Sequence, residues 1–186
     1  MNEEDRVLVE RLCAGESAAQ RDFVDAYRDR IVTVVARVAG GHADAEDLAQ
    51  ETFIKAFRAI DRFAGNSALF TWLYRIAVNT ARDWLDSRRR RPAVSLDAFT
   101  EDQSFDPPSP VDTPLQDLER EDLRARVREA MQKLPEPFRT TLILREMEGH
   151  SYEEVARILD ISIGTVESRI FRARGKLRAI IEKDLR

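Results

Sequence analysis

The sequence predicts an all-α protein, two small helical domains joined by a flexible linker, and three observations carry that expectation. Apolar residues recur at three- and four-residue spacings along most of the chain, the period of amphipathic helices. Seven glycines in 186 residues are few for an architecture of strands and tight turns. Residues 92–118 hold five of the seven prolines and six acids, Asp97, Glu101, Asp102, Asp106, Asp112 and Asp117, without a lysine or arginine. Such a segment buries too little to pack, and a long Pro-rich connection marks a boundary between domains. The expected units are therefore 1–91, a linker over 92–118, and 119–186.

The elements follow in order. Val7, Leu8, Val9 and Leu12 supply a first helix that Gly15 breaks. Ser17 is placed to cap a second helix carrying Phe23, Val24, Tyr27, Ile31, Val34 and Val35, and Gly40-Gly41 ends it. A third helix, about Asp44 to Phe63, buries Leu48, Phe53, Ala56, Phe57 and Ile60 and turns Asp47, Gln50, Glu51, Lys55 and Arg58 to other faces. Its acids come first and its bases last, which suits the helix dipole whether or not a partner is present.

Arg62 to Ser67 reads as a loop, with Ser67 or Asn66 capping a long helix that reaches roughly to Arg89. Its core stripe is Leu69, Leu73, Ile76, Thr80 and Trp84; opposite lie Thr71, Arg75, Val78, Asn79 and Arg82, with Trp72, Tyr74 and Asp83 on the shoulders. Arginines that neutralise phosphate, aromatics that stack on bases and an amide that reads a base edge form a set suited to single-stranded nucleic acid. The same residues also fit a solvated helix face with core-packed aromatics. Arg88 to Arg91 gives four consecutive bases, consistent with a charged helix end or with contact to a nucleic-acid backbone.

Past the linker, Leu118 to Leu134 forms a helix with Leu123, Val127, Ala130 and Met131 on one side. Pro135-Glu-Pro137 breaks and restarts it, Phe138 to Met147 carries Leu142, Ile143 and Leu144, and Gly149 is the stop. Ser151 and Glu154 match a capping box ahead of Val155, Ile158 and Leu159. A turn at Asp160-Ile161 follows, and Ser162 caps a last helix whose inward stripe is Ile163, Val166, Ile170, Ala173 and Leu177. Two short capped helices across a tight turn make a helix-turn-helix, which brings the second domain to four helices. The outer side of the last helix offers Thr165, Ser168, Phe171 and Arg172, flanked by Glu167, Arg169 and Arg174. Arginine can grip a guanine edge or a phosphate, hydroxyls donate to either, and an exposed Phe can meet a thymine methyl.

Composition excludes other classes. A net charge of −4 is unpromising for nucleic acid until the charges are located: setting aside the six linker acids leaves the rest at +2, and residues 162–186 carry seven bases against three acids. One cysteine, Cys13, and two histidines provide neither a disulfide nor a zinc set. No Gly-rich phosphate loop and no nucleophile paired with a base is evident, so no enzyme, catalytic residue, metal or cofactor is expected. An acidic amino terminus unlike a signal peptide, and an apolar run at Ile31 to Gly40 that is short and contains Arg37, point to a cytoplasmic protein without membrane insertion. The helix-turn-helix alone would also suit a free-standing transcriptional regulator.

Two motif sets in order carry a sharper resemblance: Asp44-Ala-Glu-Asp-Leu-Ala-Gln-Glu-Thr-Phe-Ile-Lys-Ala-Phe57 with Thr71-Trp-Leu-Tyr-Arg-Ile-Ala-Val-Asn-Thr-Ala-Arg82, then Leu134-Pro-Glu-Pro-Phe-Arg139 with Ser151 to Arg174. The chain resembles bacterial RNA polymerase sigma factors of the extracytoplasmic-function (ECF) group, the sigma-E type, which keep only sigma domains two and four. The resemblance implies that Asp47, Leu48, Gln50 and Glu51 dock on the clamp helices of the polymerase beta-prime subunit and that domain four meets the beta flap. It implies that Phe63 to Ser67, including Asn66, captures a flipped base of the downstream promoter element together with Asn79 and Asp83, while Trp72, Arg75 and Arg82 lie against the opened strand. Thr165, Glu167, Ser168, Arg169, Phe171, Arg172 and Arg174 would read the upstream element, and the linker would thread near the RNA exit path. The expected partners are core polymerase, promoter DNA and an anti-sigma factor, with no small-molecule substrate. Glu167 stands where relatives can have a base, and Asp83 where an amide also occurs.

Overall fold

The computed structural model describes residues 3–41, 44–90, 123 and 125–184, and every regular element among them is helical. The linker 92–118 and the start of the helix expected from Leu118 lie outside the described residues. The chain divides into two compact units.

The amino-terminal unit is built on four helices: α1 (Glu3–Cys13), α2 (Ser17–Ala39), α3 (Ala45–Ala59) and α4 (Leu69–Arg90). A 3₁₀ turn, Ile60–Arg62, follows α3 and closes with Phe63 N–H donating to Ile60 O at 2.9 Å. Glu3, Glu4 and Asp5 open α1 and Arg11 stands in its last turn, each sign favoured by the helix dipole. Ser17 is not the cap expected of it. It is the first helical residue of α2, behind Glu16, whose side chain makes no cap bond. Gly40 ends α2 in the left-handed region at φ 86°, with its N–H on Ala36 O at 2.9 Å, a conformation that a Cβ would strain. The cap of α4 also differs from expectation: the Ser67 hydroxyl donates to Ala68 O, and the first helical bond runs from Trp72 N–H to Ala68 O.

α2, α3 and α4 pack on one another, and α1 covers α2 beside the 3₁₀ turn. Phe23 sits at the centre, fully buried, edge-on to Phe53 at 5.8 Å and 89°. Ile31, Val34, Val35, Leu69, Leu73 and Tyr74 are also sealed from solvent. Each such side chain contributes roughly 1.5–3 kcal/mol of transfer free energy. Thr52, buried on α3, returns its hydroxyl to Leu48 O at 2.7 Å and so leaves no orphan donor in the core.

The carboxy-terminal part of the chain holds α5 (residues 125–132), α6 (Glu136–Leu142), α7 (Tyr152–Leu159) and α8 (Ile163–Asp184). Pro137 lies in the first turn of α6, where its missing N–H costs nothing. α6 runs on into a wider turn of π type, Ile143–Met147, with Glu148 N–H on Ile143 O at 3.0 Å, and Gly149 ends the run at φ 74°. α6 packs on α8. Leu142, Ile143, Leu144, Val155, Ile158, Val166, Ile170 and Ala173 are buried. Leu123 and Val127, expected inside, are exposed, because burial on α5 is confined to its last turn at Ala130 and Met131 and to Leu134 beyond it.

The candidate polymerase and nucleic-acid interfaces

On α3, Asp47, Gln50 and Glu51 are exposed together on one face, whereas Leu48 is only 2% exposed. Leu48 therefore belongs to the core beneath that face and presents no surface of its own. Ile54, one turn on from Gln50 and Glu51, is 43% exposed and continues the face. It falls out of phase with the buried stripe Leu48, Thr52, Phe53 and Ala56, which is the signal that could have found it. Lys55 flanks it, 2.8 Å from Glu51, donating to Thr80 Oγ1 at 3.2 Å and lying 3.9 Å from Asp83 on α4. These pairs are exposed and contribute little to stability. They do fix where the cation stands between the two helices.

On α4 the exposed stripe is narrower than its sequence suggested. Arg75, Asn79 and Asp83 face solvent at successive turns, and Arg82 is half-buried. Thr71 and Val78, expected among them, are buried, as is the shoulder residue Tyr74, because α4 is gripped by α2 on one side and α3 on the other. Ile76 and Trp84, expected in the core, are half-buried; the Arg88 guanidinium lies 4.8 Å over the Trp84 ring. Trp72 packs on Phe63 at 5.2 Å and 47°, so helix and loop share a half-buried aromatic pair. Asn66 is exposed in that loop beside Gly65, whose φ is 69°. Of the basic run at the helix end, Arg88 is 3.6 Å from Asp44 and Arg89 is 3.7 Å from Asp86, which offsets part of its charge, and Arg91 lies outside the described residues.

Cys13 closes α1 against the 3₁₀ turn. Although Cys13 is exposed, slight desolvation raises its thiol pKa above the ordinary value, and the Asp61 carboxylate raises it further by charge and by accepting its hydrogen bond.

The helix-turn-helix forms as the sequence indicates. Ser151 N–H donates to Glu154 Oε2 at 2.8 Å and Glu154 N–H to Ser151 Oγ at 3.2 Å, a reciprocal capping box. Asp160 takes a left-handed φ of 55°, which a short polar side chain tolerates. Ser162 Oγ accepts Thr165 N–H at 3.1 Å and so caps α8. Ile163, expected in the inward stripe, is 43% exposed; as the first residue of α8 it stands outside the packed turns, and the stripe starts at Val166. Leu177 is half-buried.

The outward face of α8 sorts by what its groups already do. Thr165 shares a hydroxyl contact of 2.8 Å with Ser162, and Ser168 donates to Thr165 O at 3.0 Å. Arg174 is ion-paired with Glu146, whose hydrogen bond holds the guanidinium above its ordinary pKa. Arg169 is half-buried, while Glu167 and Arg172 are exposed and Phe171 stands 81% exposed, the most open large apolar side chain described.

Two family models match the chain, Sigma-70 region 2 over residues 23–91 and Sigma-70 region 4 over residues 124–177. The RNA polymerase sigma-H factor of Pseudomonas aeruginosa is 42% identical over 188 residues, covering 99% of this chain and 97% of its own. The ECF RNA polymerase sigma-E factor of Escherichia coli K12 is 43% identical over 173 residues, covering 91% of this chain and 90% of its own. The chain belongs to the ECF sigma factors. It is a transcription initiation factor rather than a free-standing regulator, and its two units are sigma domains two and four. Among solved structures it is similar to the sigma factor RpoE of Bartonella quintana in complex with the anti-sigma factor NepR, at TM-score 0.65 and 28% identity over 87% of this chain and 96% of that one. No helix among the described residues is long and apolar enough to cross a membrane.

Proposed function

We propose that this sigma factor divides promoter recognition among three surfaces. The α3 face of Asp47, Gln50 and Glu51, extended by Ile54, docks on core RNA polymerase. Phe63, Asn66, Trp72, Arg75, Asn79, Arg82 and Asp83 hold the opened downstream strand, with one base flipped towards the loop. Extrusion costs a few kcal/mol, which stacking and edge contacts must offset. The outward face of α8 reads the upstream element as duplex.

The observation that carries this reading is the pairing, in one chain, of a duplex-reading helix with an aromatic and amide-bearing face suited to single strands. The protein does no chemistry itself, works in the cytoplasm, takes no small-molecule substrate or cofactor, and folds as domains 1–91 and 119–186 around the intervening segment. Likeness to a sigma factor solved with an anti-sigma factor supports a partner of that kind here.

Reconstitution tests the proposal. The chain added to core polymerase should start discrete transcripts on genomic DNA that core alone does not start. Failure to bind core in a pull-down would refute it.

A further inference from the structure

Seven residues of α8 are assigned to the upstream element, and three of them already use their polar groups within the protein. The hydroxyls of Thr165 and Ser168 are engaged with Ser162 and with the Thr165 carbonyl, and Arg174 is engaged with Glu146. Glu167 has no such engagement among the described residues. Its helical neighbours at three and four residues are Gly164, Ile170, Ile163 and Phe171, none of them a base. Arg169 and Arg172 stand at spacings of two and five, which point elsewhere.

A helical side chain leans over the turn before it, and the residue three back from Glu167 is Gly164. Nothing lies within 4 Å of where a Cβ would stand there. The surface over Gly164 is thus open, and Glu167 is exposed next to it in the first half of α8, the part of a recognition helix that approaches base edges. A free carboxylate on a DNA-facing surface is repelled by phosphate. Set against a base edge, it needs a hydrogen-bond donor. Of the major-groove edges, cytosine presents an amino group with no acceptor on its own ring edge, only the paired guanine O6 beyond it, whereas the adenine amino group is flanked by its own N7 and by thymine O4, which repel a carboxylate.

We infer that Glu167 is a specificity-determining residue that selects a C·G pair in the upstream element by accepting a hydrogen bond from the cytosine amino group. The inference rests on the reading of α8 as the duplex-reading helix. Arg172 and Phe171, exposed one turn further along, supply the neighbouring contacts.

The test uses holoenzyme, core polymerase saturated with the full chain, to select from duplexes randomised across the upstream window. Wild type, Glu167→Gln and Glu167→Ala are run side by side. Because the side chain is exposed, neither variant should lose the fold, and thermal melting checks this. Wild type should prefer cytosine at one position by roughly tenfold. Glu167→Gln should move the preference at that position to adenine, whose N6 and N7 an amide reads, and Glu167→Ala should flatten it while preferences elsewhere persist. The same preferences in all three proteins would overturn the assignment alone. A holoenzyme that selects no upstream sequence at all would overturn the function proposed for α8, and the assignment with it.

Discussion

At the scale of the residue, the consequential distinctions are between side chains that face solvent and those beneath them. Asn79 is exposed at the middle of the α4 stripe. Replacing it with Ala should impair promoter opening, scored by permanganate reactivity of unpaired thymines, while core binding in a pull-down survives; equal loss of both would make the residue structural. Arg172→Ala should weaken upstream-element binding by about 1–3 kcal/mol if it makes a base contact, measured by titration of labelled duplex with holoenzyme. With its thiol pKa raised by slight desolvation and by Asp61, the exposed Cys13 should alkylate more slowly than a small free thiol at the same pH, and its rate should climb only at higher pH. Asp61→Asn should bring that midpoint part of the way down. Sequence could not resolve this scale fully. A single apolar stripe put Thr71 and Val78 outside on α4, yet a helix held between two others buries a wider arc, and of the residues placed on the outer face and shoulders Arg75, Asn79 and Asp83 stay clear of it. Ile163 erred the other way, since periodicity takes no account of where the first packed turn begins.

Elements were more legible, because their boundaries are written in local chemistry. Gly40 and Gly149 at positive φ, Pro137 in a first turn and the Ser151/Glu154 box are all sequence signals with one favoured geometry. Ser151→Ala should cost about 1 kcal/mol through the lost cap. A lowered denaturation midpoint at unchanged slope would register it. Phe23→Ala, which empties the centre of the three-helix packing, should cost about 3–5 kcal/mol and lower the melting temperature of the amino-terminal unit far more. The π-type turn at Ile143–Met147 was not legible. Its apolar residues fit an ordinary helix equally well, and the wider ring appears only in the backbone pairing of Glu148 with Ile143.

Over the whole molecule, composition alone was misleading and its distribution was informative. The net −4 conceals a strongly acidic segment between units that are jointly positive. Duplex binding by the carboxy-terminal domain should therefore fall steeply with added salt, and the slope of log affinity against log salt should shrink by close to one for each phosphate-contacting base removed. The same chain carries one thiol, Cys13, seated against Asp61 and so two residues from Phe63 in the loop assigned to the flipped base. Chemistry therefore provides a unique attachment point there without mutagenesis. A fluorophore on that sulfur would brighten or dim as a DNA strand settles nearby, making the opening of a promoter an optical signal followed in real time.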